Sequence, residues 1–236
     1  ESLANKGALE LAMGDSKSCI AVPWRQLLQA QQQVFEDNIE SLASDLEQLP
    51  ESQQEEQVYQ LKKVEQVLQH SLRIINEAEH VLLADVEPDA IPWLADALVK
   101  AAERGVEVKV KIYQDAELPG VDVILRQRGE QVYAKTKDIN FSLCGDGKEM
   151  IMALVTSNKK AVIQAFRTRS ALMNMYIYVG LLYGQLLTDL KQSIPAGNLE
   201  AAQMTLKNTE HLHPFSSENT VFDVFKQRYH KETDTI

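Results

Sequence analysis

Acidic and basic side chains follow several short apolar runs of the sequence, where a folded sheet would place them at strand ends. Asp85 and Glu87 follow the apolar run 81–84, and Arg167 and Arg169 follow a later one. Acids at the carboxyl ends of parallel strands can bind a small ligand, and paired arginines can bind an anion. We therefore predict these four residues as ligand-binding. The alternatives are that the acids cap a helix and that the arginines form salt bridges to the strand-end acids.

The sequence lacks the common catalytic and metal-binding motifs. It has no glycine-rich phosphate loop, no Cys-x-x-Cys, no His-Glu-x-x-His and no Gly-x-Ser-x-Gly. His211 and His213 could place two imidazoles close together, but no cysteine or carboxylate stands at a fitting spacing. We predict no catalytic residue, no metal site and no cofactor.

Composition and charge restrict the class of protein. The chain has 236 residues and a formal net charge of −10, so its overall field does not attract DNA phosphates. Its two cysteines, Cys19 and Cys144, and the missing signal peptide predict a reduced, cytoplasmic protein. Residues 171–187 carry no charge but include Asn174, Gln185 and two glycines, so we predict a helix buried in a soluble core rather than a membrane span.

The middle of the chain has the pattern of an α/β fold. A continuous apolar run at 81–84, a helix from about residue 88 to 104 and an alternating run at 106–112 predict a parallel strand–helix–strand unit. Three further strands are predicted near 139–145, 148–155 and 161–167, the first two joined by a tight Gly-Asp-Gly-Lys turn. Helices are predicted at 64–78 and 169–190, and near Asn198 and Thr220.

The N-terminal part predicts a helix end, a hairpin and a long helix. Runs at 8–13 and 18–22 flank a turn at 14–17, which is typical of the end of a winged helix-turn-helix or of an ordinary hairpin. Residues 24–49 predict a long helix with an apolar heptad seam. The seam packs against a second copy of the helix in a dimer, or the helix lies on the surface of its own domain. The seam residues are Leu28, Phe35, Ile39, Leu42, Leu46 and Leu49. We divide the chain at 1–23, 24–50, 51–192 and 193–236, with a polar linker at 50–57.

Three segments together resemble the TrmB family of transcriptional regulators. Ser2-Leu-Ala-Asn-Lys-Gly-Ala-Leu-Glu-Leu11, with Ile20-Ala-Val-Pro23, resembles the end of a recognition helix and the wing. Ile75-Asn-Glu-Ala-Glu-His-Val-Leu-Leu83 is similar to the start of the family's first core strand. Cys144-Gly-Asp-Gly-Lys-Glu-Met-Ile-Met-Ala153, followed by Ala165-Phe-Arg-Thr-Arg169, resembles the family's Asp-Gly-(Lys/Arg)-Glu hairpin and the next strand.

This resemblance implies a fold and a function. The fold would be a phospholipase-D-like mixed sheet flanked by helices, preceded by a long dimerisation helix and a remnant winged-helix hairpin. The function would be effector binding and dimerisation in a DNA-binding regulator, with a small molecule such as a sugar at the carboxyl edge of the sheet. Lys6 and Lys17 would contact DNA, most of the winged helix being absent from this sequence. The protein would be a cytoplasmic homodimer with no membrane partner.

One departure weighs against an enzyme. Phospholipase D enzymes use a His-x-Lys motif whose histidine is the nucleophile, and this chain has no His-x-Lys. We therefore predict a non-enzymatic regulator. A degenerate phosphodiesterase and a ligand-free protein-interaction module remain the alternatives.

Overall fold

The structure is a computed structural model that describes residues 2–12, 18–47, 56–216, 219, 221–223 and 225–226. The chain forms two compact units, residues 1–53 and 54–236. The first unit contains α1 (Ser2–Asn5), β1 (Leu9–Ala12), β2 (Ser18–Ala21) and α2 (Trp24–Glu47). β1 and β2 pair antiparallel, with Leu9 opposite Ala21, as the sequence predicts for a hairpin. The predicted turn at 14–17, the end of the long helix at Leu49 and most of the predicted linker lie outside the described residues.

The second unit begins with a short strand and continues as alternating helices and strands. Its helices are α3 (Val64–Glu77), α4 (Ile91–Glu103), α5 (Gly129–Tyr133), α6 (Ala171–Ser193) and α7 (Leu199–Thr209). Its strands are β3 (Val58–Gln60), β4 (Val81–Val86), β5 (Glu107–Ile112), β6 (Asp122–Leu125), β7 (Ile139–Gly145), β8 (Glu149–Val155) and β9 (Val162–Thr168). None of the described helices is long and apolar enough to cross a membrane.

The seven strands of the second unit form one mixed sheet in the order β3-β9-β8-β7-β4-β5-β6. β4 pairs parallel with β5 and β5 with β6, whereas every other neighbouring pair is antiparallel. This confirms the predicted α/β class and the parallel β4–α4–β5 unit. We call the edge at which β4 begins the amino edge and the edge at which it ends the carboxyl edge.

Helices cover both faces of the sheet because β4 is apolar on both. Leu82, Ala84 and Val86 belong to a core that includes the apolar sides of α3 and α4. Val81 and Leu83 point to the other face and belong to a second core, which includes one side of α6 and also Phe222. This explains the continuous apolar run in the sequence, since period-two alternation disappears when both faces are buried.

The structure adds elements that the sequence pattern did not indicate. β6 has only one buried residue, Ile124, and α5 is five residues long, so neither leaves a clear periodicity. The predicted cap at Asn198 is confirmed, because its side chain accepts a hydrogen bond from the Ala201 N–H at 3.0 Å. The start predicted for the last helix, Thr220, lies outside the described residues.

Candidate functional site

The β7–β8 hairpin forms one wall of a polar site at the amino edge. Asp146 and Gly147 have φ of 49° and 58°, and the Lys148 N–H donates to the Gly145 carbonyl at 2.9 Å. Two consecutive positive φ values are typical of a type I′ turn, for which Asp-Gly is a favoured pair. The turn therefore has the form that the sequence predicts.

The Asp146 carboxylate has a role that the sequence did not indicate. It is buried and accepts hydrogen bonds from the backbone N–H groups of Glu79, His80 and Val81, each at 2.9 Å. Since these three residues lead into β4, the carboxylate fixes the start of the first parallel strand to the hairpin. Both of its oxygens accept from backbone donors, which argues for a positioning role.

Glu149, the first residue of β8, lies among three arginines. Its carboxylate accepts from Arg73 Nη2 at 2.5 Å, Arg169 Nε at 2.6 Å and Arg167 Nη1 at 3.2 Å. Burial alone would raise the pKa of Glu149, but the hydrogen bonds from Arg169 and Arg73 outweigh it, so the pKa is lowered. We call Glu149, Arg73, Arg167 and Arg169 the arginine cluster.

The cluster contacts the strand through which the chain enters the second unit. The Arg167 guanidinium lies 4.4 Å from the ring centroid of Tyr59 in β3, a cation–π distance. Thr168, the neighbour of Arg167, donates its hydroxyl to the Gln57 carbonyl at 2.8 Å. The cluster thus holds the first strand of the sheet through side chains as well as through the β-ladder.

Two buried nitrogen atoms beside the cluster, Arg167 Nε and His70 Nδ1, have no hydrogen-bond partner among the described residues. Burial lowers the pKa of His70, and the charge of Arg167 lowers it further. His70 is therefore held in its neutral form beside a group of cations.

A cavity of about 720 Å³ opens beside the cluster at the amino edge. Its lining includes Glu77, Glu79, Lys148, Arg169 and Phe222. Drug-sized ligands occupy pockets of roughly 300–1,000 Å³, so the volume suits a small molecule. The hairpin, the loop before β4 and the end of β9 together line this cavity.

The carboxyl edge holds a different group of charges. Asp85 forms an ion pair with Lys111, and the Glu87 carboxylate accepts from the Asn140 N–H at 2.6 Å. Burial raises the pKa of Glu87, although the Asn140 hydrogen bond opposes the shift. Lys111 and Arg126 lie 5.7 and 5.4 Å from the Tyr113 ring centroid.

The predicted grouping of the four ligand-binding residues is therefore wrong. β9 runs antiparallel to β8, and Thr168 pairs with Met150 near the start of β8, so Arg167 and Arg169 lie at the amino edge. Asp85 and Glu87 lie at the carboxyl edge. The alternative of salt bridges from the arginines to these acids is wrong for the same reason, since Glu149 is their partner.

Sequence reasoning missed Glu149 and Arg73 as site residues. A signal for Glu149 was present in the sequence, because this acid lies at the start of one predicted strand and two arginines lie at the end of the next. Antiparallel pairing of two consecutive strands brings the start of the first beside the end of the second. Arg73 lies on α3, 76 positions from Glu149, and no local pattern marks it.

The seam of α2 is exposed within the first unit. Leu28, Phe35, Ile39 and Leu42 are between 50% and 65% exposed. The side chain of Leu46 and all of Leu49 lie outside the described residues. Of the two lysines predicted to contact DNA, Lys6 is exposed and Lys17 lies outside the described residues. No group of three metal-binding side chains was found in the part of the chain that the structure describes.

Residues 57–167 match the family model of the transcriptional regulator TrmB, N-terminal subdomain of its effector-binding domain. This part of the chain is similar to the TrmB family. The match runs from β3 through nearly all of β9 and so includes both hairpin strands and three of the four residues of the arginine cluster. The resemblance drawn from residues 75–83 and 144–153 is confirmed; that of residues 2–11 lies outside the match and stays a prediction.

Two solved structures are similar to the chain. One is TrmBL2, described as an archaeal chromatin protein with a novel mode of DNA binding, at 15% identity and a TM-score of 0.39, covering 76% of each chain. The other is a phospholipase D family member, Nuc from Salmonella typhimurium, at 13% identity and a TM-score of 0.39, covering 53% of this chain and 92% of that one. No curated protein matched the chain.

Proposed function

We propose that the chain is the effector-binding and dimerisation region of a TrmB-like, DNA-binding transcriptional regulator and is not an enzyme. The observation that carries this proposal is the amino-edge cavity, which lies beside the arginine cluster and is lined largely by residues of the part of the chain that matches the TrmB effector-binding domain. The effector is a small molecule that binds in this cavity.

The lining favours a neutral, hydroxyl-rich ligand such as a sugar. Glu77 and Glu79 offer carboxylate oxygens that accept from hydroxyl groups, and Lys148 and Arg169 offer donors. Phe222 supplies an apolar wall for the C–H face of a sugar ring. Acids outnumber bases in the lining, so a sugar phosphate would meet repulsion from the carboxylates.

The cavity also supports a route for regulation. A ligand that contacts Arg169 perturbs its hydrogen bond to Glu149, and Glu149 in turn holds Arg167 against Tyr59 of β3. β3 follows α2 in the sequence, and we propose that a shift of β3 is transmitted to α2. In a dimer, such a shift would alter the spacing of two DNA half-sites.

The exposed seam of α2 supports dimerisation through that helix. Four large apolar side chains at heptad spacing, each at least half exposed, lose contact with water when a second helix packs on them. Substituting Phe35→Glu and Ile39→Glu together should remove this contact and weaken self-association in analytical ultracentrifugation. The matched control is Gln26→Glu and Gln33→Glu on the same helix, which adds the same charge at two exposed positions away from the seam.

Thermal denaturation of the full chain with a panel of neutral mono- and disaccharides and their phosphates tests the effector proposal. A ligand at 100 times its Kd stabilises the folded state by about 2.7 kcal/mol, roughly a 5–10 °C rise in Tm for a domain of this size. Glu79→Gln and Arg169→Gln should reduce the rise, and Glu103→Gln, exposed on α4 outside the cavity, should not. No rise with any neutral sugar, or a rise that both cavity variants retain, contradicts the proposal.

A further inference from the structure

The outward face of α6 carries an apolar stripe that the core does not use. The sequence predicts a buried helix, but Leu172, Met173, Tyr176, Tyr183 and Leu187 are between 37% and 66% exposed. Gly180 lies in the middle of the same face, and a Cβ added there would meet no atom within 4 Å. At 100° per residue these positions fall within about 100° of the helix circumference, so they form one continuous stripe.

Without Met173, at the margin of the stripe, the residue types along the stripe have the same order in both directions. From the N-terminus it reads Leu172, Tyr176, Gly180, Tyr183 and Leu187, with spacings of 4, 4, 3 and 4. A two-fold axis near Gly180 would place Tyr176 against the second copy's Tyr183, and Leu172 against its Leu187. An isologous interface requires this property, because the same patch must complement itself.

The stripe is also chemically suited to pairing with itself. No charged residue occurs between positions 171 and 187, so bringing two copies together buries no like-charge pair. The tyrosine hydroxyls can remain at the wet margin while the rings pack. Gly180 removes the side chain where two crossing helices come closest.

The area approaches what a stable dimer needs. Taking about 200 Å² for a fully exposed large side chain, the five exposed side chains of the stripe present roughly 500 Å². Leu206 and Phe215, which line a hollow together with Tyr183 and are each about half exposed, raise this to roughly 700 Å². A standard interface buries about 800 Å² on each partner.

We propose that α6 forms an antiparallel, two-fold homodimer contact centred on Gly180 in the second unit. The occupant of the face is a second copy of this chain. The contact depends neither on the seam of α2 nor on an effector in the amino-edge cavity, which is lined by other residues.

Site-directed disulfide cross-linking tests the geometry directly. Packed helices lie about 8–10 Å apart and their Cα atoms lie about 2.3 Å from each axis, so facing Cα atoms approach to roughly 4–5 Å, close enough for a disulfide. In a Cys19→Ser background, which removes the exposed native thiol and leaves the buried Cys144, Gly180→Cys should convert most of the chain to a covalent dimer under mild oxidation. Lys100→Cys, exposed on α4 over the opposite face of the sheet, should stay largely monomeric.

Three further arms decide between occupants. Adding Phe35→Glu and Ile39→Glu should leave the Gly180→Cys cross-link intact; its loss would mean that α2 alone holds the dimer. Tyr176→Glu should weaken dimerisation at least tenfold in sedimentation equilibrium in a background with the α2 seam disrupted, while Lys100→Glu should not. Cross-linking of Gly180→Cys no stronger than that of Lys100→Cys would overturn the proposal. A cross-link that forms only after deletion of residues 227–236 would assign the face to this chain's own C-terminal segment and also overturn it.

Discussion

Replacing Glu149 by glutamine should destabilise the second unit through the arginine cluster. The carboxylate side chain is 8% exposed and accepts from three guanidinium groups, whose side chains are 20–35% exposed. Breaking a buried ion pair by removing one partner costs about 3–5 kcal/mol, because the remaining charge loses its compensation. Since the arginines keep some contact with water and the amide oxygen still accepts, we expect a loss of about 3 kcal/mol, the lower end of that range.

Glu77→Gln is the matched control. Glu77 also contacts Arg73 and Arg169, at 3.0 and 4.0 Å, but its side chain is 59% exposed. Exposed ion pairs contribute about 0–1 kcal/mol, so this variant should change the free energy of unfolding by less than about 1 kcal/mol. Urea denaturation followed by circular dichroism measures both variants.

The pH dependence of the Glu149→Gln loss is a second test. The folded pKa of Glu149 is below its ordinary value of 4.5, so the unfolded chain binds the proton first as the pH falls. The stability that the carboxylate contributes is therefore complete above pH 4.5 and is lost as the pH falls through the lowered folded pKa. The difference in unfolding free energy between the parent chain and the variant should shrink over that window. A difference below 1 kcal/mol at neutral pH, or one that does not shrink in acid, would refute the reasoning.

Three further changes should have defined effects. Asp146→Asn keeps a residue that tolerates the positive φ but loses one of the two carboxylate oxygens that accept from residues 79–81. Urea denaturation should therefore show that the free energy of unfolding falls by about 2 kcal/mol. The control, Lys148→Ala at an exposed position, should change it little. Gly129→Ala places a Cβ 2.2 Å from the Tyr113 carbonyl oxygen, so it should cost at least about 2 kcal/mol in the same assay, whereas Glu130→Ala should not. Burial, with the neighbouring Asp85 and Asp89 respectively, raises the pKa of Tyr113 and of Tyr133 to about 12. Because each phenol is neutral in the folded chain up to a higher pH than in the unfolded chain, both stabilise the fold fully below pH 10, and this stabilisation should disappear between pH 10 and 12. Tyrosinate absorbance and denaturation measured across that range test this. Titration of every tyrosine near pH 10 in the folded chain would contradict it.

The elements of the sheet could be predicted from the sequence because their signals are local. The apolar run at 81–84 and the alternating run at 106–112 correspond to β4 and β5, and Asp146-Gly147 marks the β7–β8 turn. The signal fails where an element has little buried surface, as in β6 and α5. The sequence signal also fails for the burial of α6. A helix without charged residues is predicted to be buried, although one face of α6 is exposed.

The candidate site was harder to predict because its contacts join distant parts of the chain. Arg73, Glu149 and Arg169 come from α3, β8 and the residue after β9, and Asp146 holds backbone groups more than sixty positions away. Such contacts depend on strand order, which the sequence pattern left open. From the sequence we could predict only that Arg167 and Arg169 lie at the end of a strand. To place them at one end of the sheet, the direction of β9 was also needed.

The direction of each strand decides where a site forms in a mixed sheet. The rule that ligands bind beyond the carboxyl ends of strands applies to open parallel sheets, and it pointed to Asp85 at the end of β4. Here β7 and β9 run against β4, so their carboxyl ends, at Gly145 and Thr168, lie at the amino edge. Applied strand by strand, the same rule places the hairpin turn and Arg169 together at that edge, where the cavity lies. Asp85 and Glu87, already paired with Lys111 and the Asn140 N–H, fit a structural role at the opposite edge, and this argues that effector variants should be sought among the cavity residues.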